Sequence, residues 1–262
     1  MTGPLIQVTG LTMGWDDVVL QKDATFHVDR GDVFAILGGS GCGKSTLLRH
    51  LVGLETPIAG EIAIAGVGRP NLDAGRPPYG VMFQGGALFG SMTVGENVAL
   101  PLREHTKLED STIEIMLRLK LEQVGLAGFE YHMPSQLSGG MKKRAAVARA
   151  LAMDPEILFF DEPSAGLDPI IAAGIDHLIL ELKKAFHMTI IVVTHELASA
   201  FLIADRMVLI DKGNVVAIGT TEEMRSSTQP RVRQFLDRVP EPDVEGELDY
   251  LQTLTERYRR HA

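Results

Sequence analysis

Short apolar runs alternate along this chain with longer stretches in which apolar residues recur at helical spacing. The runs at 157–160 and 190–193 are apolar at every position, which is typical of parallel strands buried on both faces, and residues 207–219 predict a hairpin. Strands that alternate with helices predict an α/β fold, here with a mixed sheet whose centre is parallel. The predicted strands are 33–37, 80–83, 157–160, 189–193, 207–210 and 215–218.

The middle of the chain favours helices. Residues 109–124 carry apolar side chains near helical spacing, and Ser138 is a good N-cap for the Ala-rich stretch 138–153. We therefore expect one large domain over 1–228 with an inserted helical subdomain at about 84–155. Residues 229–262 hold two short apolar patches separated by a proline-containing acidic linker, which predicts a C-terminal helical tail.

Composition and charge exclude several classes of protein. The 262 residues carry a net charge of −9, which opposes binding to nucleic acid. The single cysteine, Cys42, and an N-terminus without a signal-peptide pattern indicate the cytosol. No apolar run is long enough to cross a bilayer, so a role at a membrane would require a partner. The basic cluster at 142–144 is expected to form a solvated helix face.

Residues 38–46 read GGSGCGKST and satisfy the phosphate-loop pattern between a predicted strand and a predicted helix. Glycines allow the backbone to wrap phosphates, whose charge is met by N–H groups and by the helix N-terminus. Lys44 is expected to reach the β- and γ-phosphates, and Ser45 to ligate Mg²⁺. The same backbone donors are expected to favour the thiolate of Cys42. The residues expected to bind nucleotide in this phosphate loop are Gly38, Gly39, Ser40, Gly41, Cys42, Gly43, Lys44, Ser45 and Thr46.

Two acidic residues follow the apolar strand at 157–160. Such a pair is the form in which nucleotide hydrolases hold Mg²⁺ and place a base beside the γ-phosphate. Asp161 is therefore the candidate metal ligand, and Glu162 the candidate base for the attacking water. Because kinases, GTPases and motors share the phosphate loop, these two motifs do not choose among nucleotide-binding families.

The sequence LSGGM at 137–141, placed between the phosphate loop and Asp161, resembles the signature of the ATP-binding cassette (ABC) ATPases. Ser138, Gly139 and Gly140 form a helix N-terminus that suits an anion, and the resemblance implies that they cover the ATP of a second copy. Gln84 matches the glutamine that senses Mg²⁺ and the γ-phosphate and faces the transporter. His195 matches the histidine that contacts the γ-phosphate.

Two further positions fit the same family. Residues 164–168 match the loop that crosses the dimer interface, and Trp15 falls where the family often stacks an aromatic ring on adenine. The resemblance implies an ABC-type ATPase that uses ATP and Mg²⁺, with Glu162, His195, Lys44 and Gln84 in catalysis and Ser45, Gln84 and Asp161 at the metal.

A narrower resemblance, carried by residues 82–89, 100–106 and 230–237 and by the Met that closes LSGGM, points to the ATPases of Mce-type lipid transporters. It implies a peripheral subunit at the cytoplasmic face of the inner membrane that powers phospholipid transport. Its partners would be a second copy, an integral-membrane permease, and Mce-domain and small accessory subunits. An importer ATPase for another substrate, or a soluble ABC protein for cofactor assembly or DNA repair, remains open.

Overall fold

The computed structural model of the chain describes residues 3–15, 18–71 and 78–240, which form nine strands, eight α-helices and one 3-10 turn. The strands are β1 (Ile6–Trp15), β2 (Val18–Val28), β3 (Val33–Gly38), β4 (Ala59–Ile64), β5 (Tyr79–Met82), β6 (Ile157–Asp161), β7 (Thr189–Thr194), β8 (Arg206–Asp211) and β9 (Asn214–Thr220). The helices are α1 (Lys44–Leu51), α2 (Val94–His105), α3 (Asp110–Gln123), α4 (Gly139–Leu151), α5 (Pro169–Phe186), α6 (Leu197–Ile203), α7 (Thr221–Ser226) and α8 (Pro230–Leu236).

The larger sheet has six strands in the order β5-β6-β7-β3-β8-β9. All neighbours are parallel except β8 and β9, which form the predicted antiparallel hairpin. Every residue of β3, β6 and β7 is buried, as expected of strands covered on both faces. The prediction of a mixed sheet with a parallel centre is confirmed, and the carboxyl ends of its central strands meet at one edge.

A second sheet, in the order β2-β1-β4, is antiparallel and was not among the strands predicted from apolar runs. In β1 the side chains of Ile6, Val8, Leu11 and Met13 are buried, while the residues between them are partly or fully exposed. The pattern is therefore alternation rather than a continuous run, and it changes phase at Gly10 (φ 58°). One apolar cluster joins this sheet and α1 to one face of the larger sheet.

Helices α2, α3 and α4 lie between β5 and β6 in the chain, where helices are predicted, and their apolar sides join a second cluster on the other face of the larger sheet. That they form a separate subdomain stays a prediction. No helix in the described ranges is both long and apolar enough to cross a bilayer.

The chain divides into two compact units, Met1–Ser226 and Ser227–Ala262. The described part of the second unit contains α8, a single short helix that begins at Pro230. The distal apolar patch of the predicted tail, at 248–254, lies outside the described residues. The domain boundaries inferred from the sequence therefore stay predictions.

Candidate functional site

The phosphate loop leaves the sheet at the end of β3, its third strand from the β9 edge, and enters α1. Gly43 caps α1 with a left-handed backbone (φ 96°), and Gly41 is also left-handed (φ 75°). At Gly38 a β-carbon would lie 2.4 Å from the carbonyl oxygen of Ile210. Glycine is thus required by backbone conformation at two positions and by close approach at a third.

Lys44 folds back into the phosphate loop. Its side chain is buried, and Nζ donates to the carbonyl oxygens of Gly38 at 3.0 Å and Gly39 at 2.8 Å. The cation is therefore bound to two carbonyl oxygens of the loop where the sequence predicts phosphate binding.

Ser45 and Asp161 are brought together although they are far apart in the chain. The Ser45 hydroxyl donates to Asp161 Oδ1 at 3.0 Å. Burial raises the pKa of Asp161, and the hydrogen bond from Ser45 opposes that rise. A hydroxyl and a carboxylate oxygen side by side are hard donors of the kind that Mg²⁺ prefers, so these residues fit the metal expected from the sequence.

Glu162 follows β6 with a left-handed backbone (φ 50°), and its N–H donates to the carbonyl oxygen of Val193 at 2.9 Å. Its side chain is buried, and Oε1 lies 2.8 Å from His195 Nδ1. The other carboxylate oxygen, Oε2, is buried and has no hydrogen-bond partner in the part of the chain that the structure describes. One oxygen is thus oriented by His195, and the other can accept a hydrogen bond.

Apart from Asp161, the residues whose side chains are described above line one cavity of about 400 Å³. It brings together the phosphate loop, Gln84, Glu162 and His195, all of which the sequence singled out. Its lining residues are Leu20, Ser40, Gly41, Gly43, Lys44, Ser45, Thr46, Gln84, Glu162 and His195. Leu20, on β2, was missed because the antiparallel sheet was not predicted. Trp15 ends β1, but its side chain lies outside the described residues, so adenine stacking stays a prediction.

The signature residues lie elsewhere. Ser138 is exposed and caps α4, accepting from the Met141 N–H at 3.3 Å, and Gly139 is exposed beside it. A β-carbon at Gly140 would lie 2.4 Å from Ile171 Cγ2, so this glycine allows α4 and α5 to approach closely. Ser138, Gly139 and Gly140 are not among the residues that line this chain's own cavity.

The basic cluster at 142–144 is not the solvated face that its charge suggested. Lys142 is exposed, but Lys143 is buried and donates to the carbonyl oxygens of Gln84 and Glu162. Arg144 donates to Val124 O at 2.9 Å and to Gly174 O at 3.1 Å. Sequence reasoning missed Lys143, although its spacing from Gly140 and Val147 places all three on one buried side of α4.

The expectation for Cys42 was also wrong. Burial raises the pKa of the thiol, and the Lys44 cation and N–H only partly offset that effect. Cys42 therefore stays a neutral thiol to a higher pH than a free cysteine does. Loss of hydration destabilises its thiolate more than the nearby charge and N–H groups stabilise it.

Comparison with known proteins gives a consistent picture. The profile of a family described as "ABC transporter" matches residues 21–165. A protein called "Probable ribonucleotide transport ATP-binding protein mkl" from Mycobacterium leprae is 42% identical over 240 residues, 90% of this chain and 69% of that protein. "Intermembrane phospholipid transport system ATP-binding protein MlaF" from Haemophilus influenzae is 42% identical over 241 residues, 90% of this chain and 91% of that protein.

Solved structures share the fold. The dimeric ATP-binding cassette MJ0796 in a post-hydrolysis state with ADP and Pi has a TM-score of 0.73 and 29% identity, over 82% of this chain and 98% of that chain. Protein cbiO1 from Clostridium perfringens, part of the complex cbiONQ, has a TM-score of 0.77 and 30% identity, over 90% of this chain and 97% of that chain. The α/β fold of the ABC ATPase type that the sequence predicts is therefore confirmed.

Proposed function

Because this chain belongs to the ABC transporter family and is therefore an ATP-binding ATPase, we propose that it powers phospholipid transport between bacterial membranes through an integral-membrane permease. The observation that carries the ATPase mechanism is the cavity in which Lys44, Ser45, Glu162 and His195 converge. It joins a phosphate-binding loop to a buried carboxylate, which are the two parts that hydrolysis of a nucleoside triphosphate requires.

Each side chain has a distinct part in the proposed mechanism. Lys44 leaves the carbonyls of the phosphate loop to neutralise the β- and γ-phosphates, and the backbone N–H groups of the loop hold them in line. Glu162 Oε2 accepts a proton from the attacking water, while His195 fixes the carboxylate through Oε1. Gln84, two residues after the end of β5, lines the same cavity.

The residues that would hold Mg²⁺ are Ser45 and Asp161, together with Gln84, which lines the same cavity as Ser45. When bound there, the metal supplies positive charge to the phosphate oxygens. Asp161 is kept in place by the Ser45 hydroxyl, so the pair is oriented before nucleotide binds.

A second copy of this chain completes the site in the proposed assembly. The capped N-terminus of α4 is exposed at Ser138 and Gly139 and offers N–H groups to an anion, yet it does not line the cavity of its own chain. A two-fold dimer would place each signature over the partner's nucleotide. We place this dimer at the cytoplasmic face of the inner membrane as a peripheral subunit, bound to a permease and to Mce-domain and small accessory subunits.

The cargo is the least constrained part of the proposal, since the relatives differ in what their names say they transport. Phospholipid is favoured because the MlaF protein matches over 91% of its own length. Ribonucleotide, from the name of the mycobacterial relative, is the alternative. Purification of the chain with its membrane partners in detergent, followed by mass spectrometry, separates them. Bound glycerophospholipid and a permease support the proposal, and bound ribonucleotide or a chain free of membrane partners contradicts it.

The mechanism is tested by Glu162→Gln, which keeps the shape of the side chain and removes the base. We expect ATP still to bind, hydrolysis to fall by about a hundredfold or more, and the ATP-bound dimer to accumulate. Release of inorganic phosphate and size-exclusion chromatography with ATP measure these effects. Near-normal turnover would remove Glu162 from the proposed role.

A further inference from the structure

Two cations of helix α4, one buried and one partly buried, bind the backbone of the segments that follow β5 and β6. The first is Lys143, whose ammonium donates to the carbonyl oxygen of Gln84 and, at 3.1 Å, to that of Glu162. One side chain therefore contacts both the segment that follows β5 and the residue that follows β6.

The second cation is Arg149, six residues further along α4. Its guanidinium donates to Gly86 O at 2.9 Å and to Ala87 O at 2.7 Å. The segment 84–87 turns sharply here, with left-handed backbone at Gly86 (φ 73°) and Ala87 (φ 49°). Because Ala87 is strained in this conformation, the segment depends on α4 to hold its shape.

The contact at Glu162 is also a contact with strained backbone. The Glu162 N–H is fixed by Val193 O, and its carbonyl accepts from Lys143 and from the Ala165 N–H at 3.2 Å. Fixing the peptides on both sides of a left-handed residue fixes the direction in which its side chain leaves the backbone. Lys143 thereby helps to orient the Glu162 carboxylate, although it contacts only the backbone carbonyl of that residue.

We propose that Lys143 is a positioning residue that links the segment 84–87 to Glu162. Displacement of Gln84 would then change the orientation of the Glu162 carboxylate. The proposal deepens the proposed function and rests on Glu162 as the base. A shift imposed on the exposed side chain of Gln84 by a bound partner would reach Glu162 through a single ammonium.

A purely structural role for Lys143 makes a different prediction. A buried ammonium adds little stability over an apolar side chain of similar length, so a structural cation should affect unfolding and turnover together or affect neither. A positioning residue should lower kcat while leaving ATP affinity unchanged, because the phosphate loop does not contact Lys143 through any of the hydrogen bonds described above.

The test compares full-length Lys143→Met, Lys143→Arg and Lys142→Met, the last being an exposed neighbour on the same helix. We expect Lys143→Met to lower kcat by about tenfold or more with KM and ATP affinity within about twofold of wild type. Lys143→Arg, which keeps a cation and several donors, should recover much of that loss, and Lys142→Met should match wild type. If Lys143→Met does not fold, Lys143→Gln replaces it under the same criteria.

A double variant connects the loss to the base. In the Glu162→Gln background, Lys143→Met should cause little further loss of the residual turnover, because its effect passes through the carboxylate that has been removed. Unchanged kcat in Lys143→Met, or an equal fold-loss in both backgrounds, would overturn the inference. Normal turnover in Glu162→Gln alone would instead overturn the proposed function, whatever Lys143 does.

Discussion

At the scale of the residue, Glu162 combines features that each cost free energy. Its backbone is left-handed, its side chain is buried, and Oε2 has no hydrogen-bond partner among the described residues. A strained backbone of this kind costs about 1–3 kcal/mol and persists only where the surroundings hold it. The bonds to Val193, Lys143 and His195 provide that restraint, which argues that the conformation serves chemistry rather than folding.

Cys42 gives a second test at this scale. Since burial raises the pKa of its thiol, we expect Cys42 to react with iodoacetamide more slowly than a free thiol at neutral pH. The rate should keep rising with pH beyond the range in which a free thiol has levelled off. MgATP should protect Cys42 because the residue belongs to the phosphate loop. Intact-mass spectrometry measures both effects, and equal rates with and without nucleotide would show that the loop does not shield the thiol.

Sequence motifs predicted most of the cavity because each key residue lies next to a strand end or in the loop that follows one, where a buried strand is easy to recognise. Glu162 and His195 directly follow β6 and β7, and Lys44 lies at the end of the phosphate loop that follows β3. Lys143 was missed, since a cation on a helix ordinarily faces water and only the tertiary structure shows which carbonyls it meets. The altered pKa of Cys42 was hidden for a similar reason, because burial is not visible in a local motif.

At the scale of the element, the turn before α2 is held by one buried side chain. Asn97 accepts from the Phe89 N–H at 2.7 Å, and its amide donates to Phe89 O at 3.1 Å, Met92 O at 3.2 Å and Thr93 O at 2.9 Å. Thr93 caps the helix in a reciprocal arrangement with Glu96. Backbone groups of the loop between the segment 84–87 and α2 therefore form hydrogen bonds with a side chain of the helix rather than with water.

Asn97→Ala removes all four of these hydrogen bonds at once. We expect the free energy of unfolding to fall by about 2–4 kcal/mol, because backbone groups of the turn lose buried partners. Urea denaturation followed by circular dichroism measures the change. Glu104→Ala, an exposed change on the same helix, should remain within about 0.5 kcal/mol of wild type. Equal stability of the two variants would mean that water replaces the Asn97 contacts.

The success of prediction at this scale depended on the kind of hydrophobic pattern. Strands β6 and β7 contain the continuous apolar runs 157–160 and 190–193 and were found, whereas β1 and β2 alternate and were missed. In β2 a buried Gln21 precedes the exposed Lys22 and Asp23, so three consecutive polar residues hide the alternation of buried and exposed positions. The strand can be recognised only from its pairing with β1.

At the scale of the whole molecule, the C-terminal unit contributes none of the residues that line the described cavity. Its described portion is one short helix, α8, while every residue of the cavity belongs to the first unit. From the sequence we expect its distal patch, which the acidic linker separates from the first, to contact the neighbouring ATPase subunit or a small accessory protein. This prediction remains to be tested.

Truncation after Thr228 removes the whole tail, and truncation after Pro240 keeps α8. We expect both variants to bind ATP normally as monomers, and to lose ATPase activity mainly at low protein concentration because assembly is weakened. Isothermal titration and activity measured over a dilution series report the two effects. If the full-length and truncated chains depend equally on concentration, the tail has no part in assembly.

The position of β3 in the sheet has a consequence for how the protein emerges from the ribosome. Its neighbours are β7 and β8, which pair Val33 with Ile190 and Phe34 with Arg206, so the strand that carries the phosphate loop is translated long before either partner. Until then the nascent chain has an apolar strand with unpaired edges and no support for its loop. Nascent chains arrested before β7 should therefore fail to retain ATP and should engage chaperones, and capture of nucleotide should begin only after β8 has left the exit tunnel.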